Sequence, residues 1–197
     1  MNSVQIDPRQ EGDLRSLLQV VSRLFECPIA GWNEDVVLAE YLDWLPDAEV
    51  GDVLRHFWNA RQQLTIDELW LRYVDTFELA DKATLYLTLS LYSNPLQRSL
   101  ALQKLNEAYK GAGVALPVSE LPDYLPAVLE YAAAAPMYEA AMVLHELRPG
   151  IAKLERTLRE MGSLYADVAK ASLVLSDRVI QKGGGAYLQG RTGKVLQ

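Results

Sequence analysis

Thr84-Leu85-Tyr86-Leu87-Thr88-Leu89-Ser90-Leu91-Tyr92 is the stretch on which the fold turns. Leucine at every second position reads as a half-buried β-strand, whose side chains alternate between two faces. A strand needs a partner, because unpaired backbone N–H and C=O groups are costly to bury, and no other run in the chain offers a convincing one. Wound as a helix, the same residues place Leu85, Tyr86, Leu89 and Tyr92 on one face with Leu87 and Leu91 beside it, which suits a helix buried on most sides. The helical reading prevails, and the chain is predicted to be all-α, a single-domain helical bundle.

On the N-terminal side, Thr65-Ile66-Asp67-Glu68 has the form of a capping box, opening a helix with Ile66, Leu69, Trp70, Tyr73 and Phe77 on one side. Val50, Val53, Leu54, Phe57 and Trp58 keep the same spacing after Pro46, and a further helix is predicted from Asn33 to Trp44. Leu14, Leu17, Leu18, Val21 and Leu24 mark the first helix, with its end at Cys27-Pro28. On the C-terminal side, Asn94-Pro95 is an N-cap followed by the residue favoured at the first helical position, and Gly111 and Gly113 stop that helix. After the loop from Gly111 to Ser119, Asp123 is expected to cap a helix whose first turn contains Pro126. A long helix follows Pro136, with interruptions expected at Gly150 and Gly162. Residues 1–182 form the predicted domain, and 183–197, rich in Gly and poor in apolar residues, are expected to be a mobile tail. No constant period runs through the chain, which argues against a helical repeat array.

The 197 residues are half apolar and carry 19 basic against 26 acidic side chains, a formal charge of −7. A core of ordinary size is therefore available, while the concentrated basic surface that neutralises phosphates is missing, so no nucleic-acid partner is expected. One cysteine excludes an internal disulfide, and two histidines cannot complete a structural zinc site with it. Met1 to Gly12 lack the apolar core of a signal peptide, and the apolar stretches fall far short of the roughly 20 residues that span a bilayer. A cytoplasmic protein without direct membrane insertion is expected.

Candidate chemistry is sparse. Gly185-Ala186-Tyr187-Leu188-Gln189-Gly190-Arg191-Thr192 imitates a phosphate-binding loop, but with Arg in place of Lys and no preceding strand. His56 and His145 have no His or Cys one helical turn away, and Cys27 has no neighbouring base, so ordinary structural roles are expected for all three. The acidic pairs Glu120 with Asp123, Asp75 with Glu78, and Glu155 with Glu160 fit a solvated face better than acid/base catalysis. No enzyme, metal site or cofactor of its own is predicted. What stands out is the density of Trp and Tyr, which serves either core packing or an aromatic groove for a peptide, rimmed by acids.

From about Trp70 to Tyr131 the chain resembles the NarJ subgroup of the TorD/DmsD-type redox-enzyme maturation chaperones. The resemblance rests on Tyr73-Val74-Asp75-Thr76-Phe77-Glu78, on Leu85-Tyr86-Leu87-Thr88, and on Arg98 with Leu102, Leu105 and Tyr109. It is strongest at Glu120-Leu121-Pro122-Asp123-Tyr124-Leu125-Pro126 with Leu129-Glu130-Tyr131. Leu89 and Ser90 stand where the family usually has Tyr-His, Glu78 where it has Asp, and Ser99 where it has Gly. The resemblance implies an all-α, monomeric chaperone that is not an enzyme. Its implied partner is the catalytic (alpha) subunit of respiratory nitrate reductase, including that subunit's N-terminal peptide, during molybdenum cofactor insertion and before membrane attachment. Client binding is expected at Tyr73, Phe77, Tyr86, Tyr109 and Tyr124, which shape an apolar groove, at Glu120 and Asp123 on its charged rim, and at Arg98. The alternatives are a chaperone for a dimethyl sulfoxide or trimethylamine oxide reductase, or, from another class, a helical small-molecule binder or carboxylate-based enzyme.

Overall fold

The computed structural model describes residues 8–28, 36–45, 47–79, 83–116 and 120–192. Among these are nine helices and no strand: α1 Pro8–Leu24, α2 Val36–Trp44, α3 Ala48–Gln62, α4 Ile66–Phe77, α5 Leu87–Leu91, α6 Pro95–Gly111, α7 Leu125–Ala134, α8 Met137–Glu160 and α9 Tyr165–Thr192. The all-α bundle expected from the sequence is the observed architecture.

The scaffold is the antiparallel pair α8 and α9. Leu144, Leu147, Ile151, Leu154 and Leu158 of α8 and Val168, Leu175 and Val179 of α9 are buried along it. Arg148 clamps the pair from outside, donating from Nε and Nη2 to the two carboxylate oxygens of Asp177 at 2.5 and 2.8 Å. α3 lies along α9, held at one end by Arg178 on Asp47 and Glu49 and at the other by His56 on Asp167. On the other side α1 packs antiparallel to α7, with Ser22 donating to the carbonyl of Pro126 at 3.0 Å and Arg15 to that of Ala133. Tyr165, the first residue of α9, lies at 5.0 to 5.8 Å centroid distance from Phe57, Tyr73 and Phe77. That aromatic contact fastens α4 to the scaffold.

Local signals placed several boundaries well. Thr65 accepts from Glu68 N while Glu68 accepts from Thr65 N, the complete capping box. Asn94 accepts from the amides of Leu96 and Gln97, and Pro95 opens α6. Gly162 has φ +64°, a backbone that L side chains rarely adopt, and it ends α8.

Other expectations need correction. Of the stretch 84–92 only Leu87–Leu91 is helical; Tyr86 is extended and forms an antiparallel bridge with Tyr124. The partner missing from the sequence is thus a single residue, supplied from the turn before α7. Asp123 does not cap α7. The N-cap is Tyr124, without a side-chain bond, although Pro126 does sit in the first turn. α8 runs unbroken through Gly150, and the missing side chain there lets α5 rest on it: a Cβ would stand 3.2 Å from Leu87 Cβ. α1 closes at Leu24, before Cys27-Pro28, and α2 begins at Val36, the predicted start Asn33 lying outside the described residues. Of the tail expected over 183–197, the residues up to Thr192 belong to α9, and 193–197 lie outside the described residues.

Candidate functional site

The block Leu121 to Leu125 reaches the rest of the fold through its backbone. Leu87 N donates to Asp123 O at 3.0 Å and Leu125 N donates to Leu85 O at 2.8 Å, so the Leu85–Leu87 and Asp123–Leu125 segments are laced together. The lacing stacks Tyr86 on Tyr124, ring centroids 5.3 Å apart. Tyr86 then donates its hydroxyl to Glu120 Oε1 at 3.1 Å. Burial, and then this bond to a carboxylate, push the Tyr86 phenol up to about 12, so it stays a donor throughout the physiological range.

Behind this pair, Tyr124 stands beside Tyr73, the two phenols close enough to perturb one another, and Tyr73 lies 5.1 Å from Phe77 between ring centroids. Glu120, Tyr86, Tyr124, Tyr73 and Phe77 therefore form one continuous line from a half-buried carboxylate to the aromatic centre of the fold. Around it stand further acids. Partial burial raises the Glu26 carboxyl above its ordinary value, and neighbouring Glu130 adds to the effect, while Arg23 opposes it. Glu78 stands close enough to Cys27 to reinforce the upward push that burial gives the thiol; Cys27 is thereby kept protonated, the opposite of an activated nucleophile. Trp70, beside that thiol, is 45% exposed and gives the acidic border a large apolar surface.

Asp123 is fully buried and so lies beneath the surface, not on a rim. Its Oδ2 accepts from Thr88 N at 3.0 Å and from Thr88 Oγ1 at 2.5 Å, and its carbonyl accepts from Leu87 N. These are the first orphan amides of α5, a helix whose own N-cap, Tyr86, supplies no side-chain bond. Asp123 is a cap, but for an earlier helix, bonding to Thr88 35 residues before it. Arg98 Nε donates to Thr88 Oγ1 at 3.1 Å, which connects α6 to the same carboxylate. Tyr109 is 2% exposed and packs on Tyr131 at 4.4 Å, in the core beside the line of aromatics and outside any open surface.

The residues singled out by sequence are brought together in two chains, Tyr73, Phe77, Tyr86, Tyr124 and Glu120 in one and Asp123 with Arg98 in the other, joined at the 85–87 and 123–125 lacing; Tyr109 stands apart. The fold adds Thr88, Trp70 and Glu26 to them. Thr88 had a signal: a hydroxyl within an apolar stretch needs a partner if it is buried, and it is buried completely.

Glu155 pairs with Arg159 on α8, and among the described residues no group of three or more His, Cys, Asp or Glu could hold a metal ion. Gly185 to Thr192 lie within α9, so their backbone is helical instead of forming a phosphate-binding loop. Among the described residues no helix is long and apolar enough to cross a membrane.

Residues 38–169 match the profile of the family described as nitrate reductase delta subunit. The chain is similar to the probable nitrate reductase molybdenum cofactor assembly chaperone NarJ of Bacillus subtilis, 27% identical over 173 residues, which cover 85% of this chain and 91% of that protein. It is similar to the nitrate reductase molybdenum cofactor assembly chaperone NarJ of Escherichia coli K12, 30% identical over 166 residues, 83% of this chain and 70% of that protein. A third similarity, 38% over 100 residues, is to the nitrate reductase-like protein NarX of Mycobacterium tuberculosis and covers 51% of this chain but 15% of that one. Both NarJ relatives are named as assembly chaperones, not as catalytic enzymes.

Proposed function

The chain belongs to the nitrate reductase delta subunit family, and we propose that it is a cytoplasmic, monomeric chaperone that binds the catalytic subunit of respiratory nitrate reductase. In this reading it holds that subunit, through its N-terminal segment, in a state competent for molybdenum cofactor insertion and leaves before or during membrane attachment. The observation that carries the reading is the half-buried pair Tyr86 and Tyr124 beside Glu120, backed by Phe77 and buried Tyr73 and bordered by Glu26, Glu78 and Trp70. Rigid aromatic rings offer contact area at little entropic cost, and an acidic border favours a basic, partly apolar segment. Long-range attraction speeds the encounter, whereas apolar contacts set the lifetime of the complex. A short amphipathic helix, anchored at i, i+3, i+4 and i+7, is the segment such a surface accepts.

Calorimetry with a synthetic peptide of the client's N-terminal segment tests this. Binding that weakens as salt rises, and weakens at least tenfold in Tyr86→Ala, is the expected result. Absence of binding at high micromolar peptide in low salt would rule the reading out.

A further inference from the structure

Several arginines here face carboxylates: Arg55 on Asp52, Arg148 on Asp177, Arg159 on Glu155, Arg178 on Asp47 and Glu49. Two cations beside α5 do not. Arg98 bonds through Nε to the hydroxyl of Thr88, and Lys153 Nζ bonds to the backbone carbonyl of Ser90 at 3.0 Å. Both partners are neutral oxygens, so neither charge is cancelled by its contact. Leu89, which separates Thr88 from Ser90 in the sequence of the same short helix, is 51% exposed.

The direction of the bonds fixes what Arg98 has left to offer. Thr88 Oγ1 has one proton, and it goes to the buried Asp123 Oδ2 at 2.5 Å. Its lone pair is therefore what receives Arg98 Nε, and the guanidinium plane is anchored at that edge. The two Nη groups have no hydrogen-bond partner among the described residues. A guanidinium held at Nε with its other N–H groups open is prepared for a carboxylate, whose two oxygens match neighbouring N–H groups of the fork.

We infer that Arg98 and Lys153, flanking Leu89, form a subsite for an acidic side chain next to an apolar one in the client segment. Leu89 follows Tyr86, the extended N-cap of α5, by three residues, and the Tyr86 hydroxyl touches Glu120. A segment laid across this surface meets an anionic group at Glu120 and cationic groups at Arg98 and Lys153, so the surface selects a basic and an acidic side chain set apart in the segment, in addition to net positive charge. On a chain of charge −7 such a cationic spot excludes segments that are merely basic. Thr88 and Asp123 act as positioning residues, since they reach the client only through the orientation of Arg98.

The inference rests on the client reading above, and the test separates the two. The probes are the synthetic N-terminal peptide of the client subunit and versions in which each of its Asp and Glu residues is replaced by the amide. Calorimetry is run on the full chain as wild type, Arg98→Gln and Lys153→Gln. One amide replacement is expected to weaken wild-type binding about tenfold, and Arg98→Gln is expected to weaken binding of the unaltered peptide by a similar factor. The same amide peptide should bind wild type and Arg98→Gln equally, the signature of a shared contact. No binding of any peptide to the wild type overturns the client reading and this subsite with it. Binding that responds to neither amidation nor Arg98→Gln overturns the subsite alone. Thr88→Ser, which keeps the hydroxyl, should retain wild-type affinity; its loss of the amide discrimination would overturn the positioning role.

Discussion

The α8–α9 pair and the α5 region are held together by different physics. α8 and α9 meet along many buried aliphatic side chains, and their ion pairs lie outside that seam. α5 has five residues, too few for a stable helix alone, and is kept in place by two backbone bonds, one buried carboxylate and the absence of a Cβ at Gly150. A seam of dispersed contacts loses stability gradually, whereas a short element resting on a few directional bonds is set in one position by each of them. The surface proposed to meet the client grows from the second kind.

The largest expected effect falls on the seam. Leu144→Ala, at a fully buried site, should cost about 3–4 kcal/mol of unfolding free energy by denaturant titration and leave affinity for the client peptide within twofold of wild type. Asp123→Ala should cost less, about 2–3 kcal/mol, since it strands the Thr88 amide and hydroxyl in a buried place. Its distinguishing sign is local: hydrogen exchange at Leu87, Thr88 and Leu125 should accelerate well beyond the change in global stability, and peptide affinity should fall with it. If exchange there merely follows the global change, the two regions are one cooperative unit and the contrast fails.

Gly150→Ala should cost about 1 kcal/mol. The new methyl gains helix propensity but meets Leu87 at its Cβ and carbonyl, neither of which can swing aside. Reduced peptide affinity alongside that small loss would confirm that α5 moves as a body.

The smallest effect is in pH dependence, where the carboxylates ion-paired to α8 and α9 and the one beside the aromatic line have opposite signs. Hydrogen bonds from Arg178 and Arg148 hold the Asp47 and Asp177 carboxyls below their ordinary values. Their contribution is present above the unfolded-chain value near ~3.9 and is lost as pH falls through the lower folded values. Glu26 is raised by burial and by Glu130, so its ionisation opposes folding, and that cost is relieved as pH falls through its folded value. Melting curves should accordingly show Arg148→Ala lowering stability at neutral pH, with the difference shrinking toward pH 2, and Glu26→Gln raising it slightly at pH 7 but not at pH 3. Each change should stay under about 1 kcal/mol, because the groups are partly solvated.

Legibility from sequence follows the same division. Thr65 with Glu68 and Asn94 with Pro95 make contacts within three residues of themselves, so their roles were readable directly. Asp123 has the composition of a cap and is one, yet its helix lies 35 residues away, and no local rule chooses between neighbours that far apart. Gly150 resembles a helix breaker because propensity weighs the residue alone; the close approach of Leu87 is what makes a glycine fit inside an unbroken helix there. Tyr109, Tyr73 and Tyr86 look alike in the sequence, and only the fold buries the first two in the core and leaves Tyr86 half-buried beside Glu120.

The sequence by itself determined the all-helical class, most helix starts, the acidic balance and the residues that carry the family resemblance, because each depends on composition or on contacts within a turn of helix. The tertiary structure alone decided that part of the leucine-rich stretch is extended, that its partner is a single tyrosine, and that a buried aspartate orients an arginine through a threonine. Those outcomes depend on which distant groups are left to satisfy one another once the core has closed, and a buried polar group takes its partner from whatever the packing brings within reach.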